Sequence, residues 1–141
     1  MTVTVISRVP RPGITASRLR RVIRHILRRE RASTPVDLTV LLVSDGQIRS
    51  LNRRFLGRDR PTDVLAFPAG GGYLGDIVVS VDRARVQARQ AGHPPGTEVA
   101  FLAAHGTLHL LGYGDVTPRA RAAMLRRQRA LLGEVGVRVT R

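Results

Sequence analysis

His105 and His109 stand four residues apart in the segment HGTLHLLGYGD, residues 105–115. On a helix, four residues turn through about 400°, so both imidazoles leave nearly the same face, about 6 Å apart along the axis. Two rings at that separation can share one metal ion. Gly112 and Gly114 then end the helix and let the chain double back, which could bring Asp115 toward the rings. Two nitrogens and one carboxylate oxygen suit zinc, and three protein ligands leave a position for water. The same histidine spacing also occurs in rings that only pack or face solvent, so both readings stay open on these residues alone. Zinc proteases place a general-base Glu directly after the first His. Here that residue is Gly106, which disfavours peptide hydrolysis by that route. A glycine there is expected to let a nucleic-acid backbone come close to the metal.

The charge suggests what such a site would act on. Twenty-four basic residues, all Arg, face ten acidic ones, for a net charge of +14. A GC-rich genome accounts for Arg in place of Lys but not for the excess over acids. Charge of this size attracts a polyanion, with nucleic acid the leading partner and an acidic protein the next. A membrane surface is disfavoured, because no helix pairs a basic face with a bulky aromatic one. Three Phe, two Tyr and no Trp leave little surface for base stacking, so low sequence specificity is expected. The lack of cysteine excludes disulfides, thiol catalysis and Cys-ligated metals. The N-terminus carries no signal-peptide pattern and the apolar runs, such as residues 99–104, are too short for a membrane span. The expected compartment is therefore the cytoplasm.

The elements that must position these residues follow from periodicity. A chain of 141 residues, 43% hydrophobic, fits one domain over 1–141. Strands are expected at 2–7, 36–43, 63–68 and 73–80. A helix over 17–29 turns Leu19, Val22, Ile23, Ile26 and Leu27 to one side and Arg18, Arg20, Arg21, Arg24, Arg28 and Arg29 to the other. Ser44 caps a helix to 55, Ser80 or Asp82 one to 90, Thr97 one to about 111, and Thr117 with Pro118 one to about 132. His25 and His93 are expected to face solvent, and the tail from 136 to be extended or frayed. The order β-α-β-α-β-β-α-α-α gives an α/β (α+β-like) single domain, a small mixed four-stranded sheet with helices packed on it.

HGTLHLLGYGD resembles the signature of the YbeY family, bacterial rRNA-maturation endoribonucleases, in which the segment reads like HGxLHLxGYDH. Two more blocks agree in order and spacing: LNRRFLGRDRPTDVLAFP, residues 51–68, and LGDIVVS, residues 74–80. The resemblance spans roughly residues 36–132. It implies a metal-dependent endoribonuclease that prefers single strands and acts in 16S rRNA 3′-end maturation and ribosome quality control. It also implies one Zn²⁺ per chain on three side chains, with His105 and His109 matching the first two ligands and serving catalysis. Its implied partners are single-stranded RNA, the small-subunit rRNA and ribosome, a small-subunit ribosomal protein and an assembly GTPase.

This chain departs from the family pattern at three places. Asp115 falls on the third histidine's position. A carboxylate can bind zinc at about 2.0–2.2 Å, but it offsets part of the ion's charge, so a bound water would be less acidic than with three neutral rings. Leu56 stands where the family often has a functional Arg, and Arg54 or Arg58 could replace it in space. The last helix, often rich in Glu in relatives, here carries Arg119, Arg121, Arg126, Arg127 and Arg129. Those could be a solvated face or an extended RNA contact. Arg54, Arg58, Arg60 and Tyr113 are the candidate RNA contacts, and Asp76 and Glu98 the candidates to support the ligands from behind. Thr62 and Asp63 are expected at the floor of the cleft. A non-catalytic ribosome-assembly factor with a compromised metal site remains the competing reading, and a hydrolase of another substrate the third.

Overall fold

A computed structural model describes residues 1–31 and 35–140. Four strands form one mixed sheet in the order β1 (Val3–Ser7), β2 (Asp37–Val43), β4 (Tyr73–Ser80), β3 (Val64–Pro68). β1, β2 and β4 run parallel, and β3 pairs antiparallel on the far edge. Five helices complete the order expected from the sequence: α1 (Ala16–Arg31), α2 (Asp45–Leu56), α3 (Val81–Ala91), α4 (Pro95–Leu110) and α5 (Pro118–Glu134). Among the described residues, no helix is long and apolar enough to cross a membrane.

Alternation along the strands divides the core. Leu38, Val40 and Leu42 of β2, with Ile77 and Val79 of β4, face α1, α4 and α5. Val43, Val78 and Leu65 face the other way, against Ile48 of α2. Side chains that alternate across a pleat cannot share a face with their neighbours, so the sheet separates two chemical environments.

The local signals act largely as expected. Ser44 caps α2 in a box with Gln47, Ser80 caps α3 through the Arg83 N–H, and Thr117 caps α5 ahead of Pro118. The start of α4 differs: it begins at Pro95, with Pro94 at the cap position and no side-chain cap. Thr97 lies inside the first turn instead. The fixed φ of Pro95 suits a first helical position, and the first turn is held by the Pro94 carbonyl.

α4 is buried nearly all round, from Glu98 through Ala104 and again from Gly106 to Leu108. It lies between the sheet and helices α1, α3 and α5. Gly106 is what permits this. A Cβ there would sit 2.7 Å from Ile77 Cγ2 on β4. The glycine therefore serves the seating of α4 on the sheet, which corrects the expectation that it opens space for a nucleic-acid backbone.

Candidate functional site

The histidine helix ends at the cleft it serves. Leu111 closes α4, and Gly112 follows at φ +106°, a left-handed turn that a side chain would disfavour. The chain doubles back through this turn, and Asp115 returns to the helix it left. Its Oδ2 lies 3.9 Å from His105 Nε2. Both residues line a cavity of about 190 Å³ with Asp63, Phe101, Met124 and Arg121. Asp63 thus stands at the cleft as the PTD segment suggested. Arg121 donates to the Asp115 carbonyl at 3.2 Å and holds the returning loop against α5.

Gln128 orients the imidazole and was not singled out by sequence reasoning. It is fully buried, and its Nε2 donates to the Phe101 carbonyl at 2.8 Å. That bond turns Oε1 toward His105 Nδ1, 3.4 Å away. An amide oxygen can only accept, so Nδ1 is the donor in this contact and Nε2 is the ring nitrogen that faces the cleft. The signal was present as a polar residue in the buried stripe of α5 with Met124, Leu131 and Leu132. The Gln128→Leu variant is expected to fold and to lose about tenfold to a hundredfold in metal affinity or cleavage. Metal titration of the two proteins side by side checks this, and equal affinities would show that Gln128 only packs.

The donor types suit a cation. His105 Nε2 and the Asp115 carboxylate face each other at 3.9 Å, and both are group types that ligate a cation. Two donors on one tetrahedral zinc sit roughly 3.4 Å apart. His109, one turn along α4, is exposed. Among the described residues, no three His, Asp or Glu side chains converge as a metal group.

Several expected participants are placed elsewhere. Asp76 shares the sheet face of Val78, not that of Ile77, so β4 itself stands between it and the histidines. It accepts from the Tyr73 hydroxyl, whose oxygen in turn accepts from the Thr39 hydroxyl. Burial first, and then the Asp76 carboxylate, push the Tyr73 phenol up. Glu98 sits near the N-terminal end of α4, wholly buried, with Oε1 2.6 Å from His93 Nε2. It pairs with His93 rather than standing behind His105. His93 is correspondingly buried, not solvated, and its Nδ1 meets Thr140 Oγ1 at 3.0 Å. Thr140 donates in turn to the Ala91 carbonyl, so the tail is tied down as far as 140, while Arg141 lies outside the described residues. His25 is half-buried, 2.7 Å from Glu134 on α5.

Tyr113 packs against the main core and its hydroxyl donates to Glu30 of α1 at 3.0 Å. Burial and then the Glu30 carboxylate push its phenol up, so it remains a neutral donor. The ring is thus engaged in closing the helix end rather than presented to a base. Arg127 binds the same Glu30 at 2.5 Å. Arg119, Arg126 and Arg129 are exposed. Arg54, Arg58 and Arg60 are exposed around the end of α2 and the loop that leads to Asp63, with Arg54 lying over the Phe55 ring. Leu56 is exposed as well.

The fold and cleft define a class: a small, strongly basic α/β domain whose acid–imidazole pair sits where one buried helix leaves the sheet. A family model described as Endoribonuclease YbeY matches residues 10–136. The chain is 41% identical over 136 residues to a relative from Moorella thermoacetica named Endoribonuclease YbeY, covering 86% of this chain and 87% of that one. A relative of the same name from Roseiflexus castenholzii is 38% identical over 136 residues, covering 88% and 86%. A solution structure of a Thermotoga maritima protein superposes with a TM-score of 0.68 at 27% identity, over 94% of this chain and 88% of that one. The chain belongs to the YbeY endoribonuclease family.

Proposed function

We propose that this protein is a zinc-dependent, single-strand-preferring endoribonuclease acting in 16S rRNA 3′-end maturation and ribosome quality control. The observation that carries this reading is the approach of Asp115 to the oriented Nε2 of His105 in a chain of net charge +14. His105 and Asp115 would hold one Zn²⁺ per chain, with His109 as the third ligand. That ion would supply Lewis acidity toward a scissile phosphate. Gln128 keeps the Nδ1 proton of His105 in place, and Arg121 holds the loop that carries Asp115. Arg121 also brings positive charge to the cleft wall, where it favours the extra negative charge of a phosphoryl transition state. Arg54, Arg58 and Arg60 stand on the approach to Asp63 and would meet the RNA backbone. The proposed setting is the cytoplasm, on the small ribosomal subunit, alongside a small-subunit ribosomal protein and an assembly GTPase.

The purified protein is expected to carry about one zinc per chain, the stoichiometry of a three-ligand site. His109→Ala is expected to lose most of it. Elemental analysis of both proteins is the test. A wild type without metal that still binds small-subunit rRNA would instead favour a non-catalytic assembly factor. That no three metal-binding side chains converge among the described residues is the observation on that side.

A further inference from the structure

The outer face of α1 carries a second concentration of charge that the cleft does not explain. Arg18, Arg21, Arg24 and Arg28, with Thr15 and Ser17, line one groove of about 480 Å³. Steps of three and four residues place these side chains on a single helix face, and ten residues of rise extend it over about 15 Å. Among the described residues, no acidic one lines the groove. Among the described residues, the arginines that meet a carboxylate are Arg29, Arg49, Arg83, Arg85 and Arg127, and none of the four groove arginines is among them. The nearby acids are engaged elsewhere: Glu30 by Arg127 and Tyr113, Glu134 by His25 and Arg29.

Four cations held side by side without a counter-ion repel one another, and folding gains nothing from the arrangement. A ligand with regularly spaced negative charges relieves that repulsion. Guanidinium forks match phosphate oxygens in geometry as well as charge. The groove also has a direction. Its last arginine lies two residues before Glu30, and Glu30 is bonded to Tyr113 in the loop that carries Asp115. Glu30 lies on the other side of the helix from Arg28, so the Arg28 end of the groove is the end of α1 that adjoins the Asp115 loop.

We propose that the α1 groove is a separate RNA-backbone track, holding phosphates of the single strand outside the cleavage cleft through Arg18, Arg21, Arg24 and Arg28. This rests on the endoribonuclease reading and adds to it a binding surface on another element. The test is fluorescence anisotropy with a labelled single-stranded oligouridylate over a salt series. It compares wild type, R18Q/R21Q/R24Q/R28Q, and R8Q/R53Q/R89Q/R138Q, which removes equal charge elsewhere. The groove variant is expected to bind about tenfold or more weakly, with a log–log salt slope smaller by as much as about 3, at about 0.7 per phosphate released. Its thermal midpoint should not fall, because only like charges are removed. The control variant should lose much less affinity.

Equal losses in the two variants would overturn the track and leave only a general charge effect. Unchanged affinity and slope in the groove variant would overturn it as well. Poly-glutamate that displaces the RNA from the groove as well as a phosphate polymer of equal length would point to an acidic protein and overturn it too. A wild type that binds no RNA at all would instead strike the endoribonuclease reading itself.

Discussion

His105→Ala is expected to lower cleavage of single-stranded rRNA by about a thousandfold or more, equivalent to about 4 kcal/mol of transition-state stabilisation. His105 is the residue on which the cleft converges. Its ring lines the cavity, faces Asp115 at 3.9 Å and is held from behind by Gln128. Removing it takes away a proposed ligand and leaves the Asp115 carboxylate without the group it faces. The ring is about 29% exposed, so the fold should survive with a change below about 1 kcal/mol, as for most partly exposed positions. RNA affinity should change little, because the arginines are untouched. The split between lost turnover and kept binding is the readout, and equal cleavage by both proteins would assign the activity to a contaminant. Asp115→His is the companion variant. A neutral third donor leaves more positive charge on the ion, so its pH–rate profile is expected to shift toward lower pH.

His93→Ala is expected to cost about 3 kcal/mol of stability, the upper scale for taking a hydrogen-bond partner from a buried polar group. His93 and Glu98 side chains are 2% and 0% exposed, with 2.6 Å between Nε2 and Oε1. Losing the ring removes one of the partners of Glu98 inside the protein and cuts the link from α4 to Thr140. For a chain of this size the thermal midpoint should fall by about 10 °C. Cleavage at room temperature should be unchanged, since the pair sits at the opposite end of α4 from Gly112 and Asp115. Thermal unfolding checks the first statement and a single-turnover assay the second. A fall of less than about 1 kcal/mol would show that the pair contributes little.

The element order and most caps were legible because they depend on neighbours in the chain. Ser44, Ser80 and Thr117 each bond an N–H three residues ahead. The apolar stripe of α1 repeats every three or four residues, as a helix lying on a core must. The spacing of His105 and His109 was visible for the same reason. The start of α4 was misread because Thr97 looks like a cap by type, while Pro94 and Pro95 set the helix start through backbone conformation.

What the chain could not show locally is which side of the sheet a residue takes and what meets it there. Asp76 stands one residue from Ile77, yet that single step puts it on the face opposite α4. Glu98 is seven residues before His105, yet its partner is His93, on the loop before the helix. Gly106 reads as open space until Ile77 is seen to fill it. The sequence by itself determined the secondary structure, the excess of positive charge and the histidine spacing, all set by residues within a few positions or by composition. Only the tertiary structure decided that Asp115 returns to His105, that Gln128 orients the ring and that four arginines of α1 meet no carboxylate among the described residues, because each depends on contacts between segments far apart in the chain.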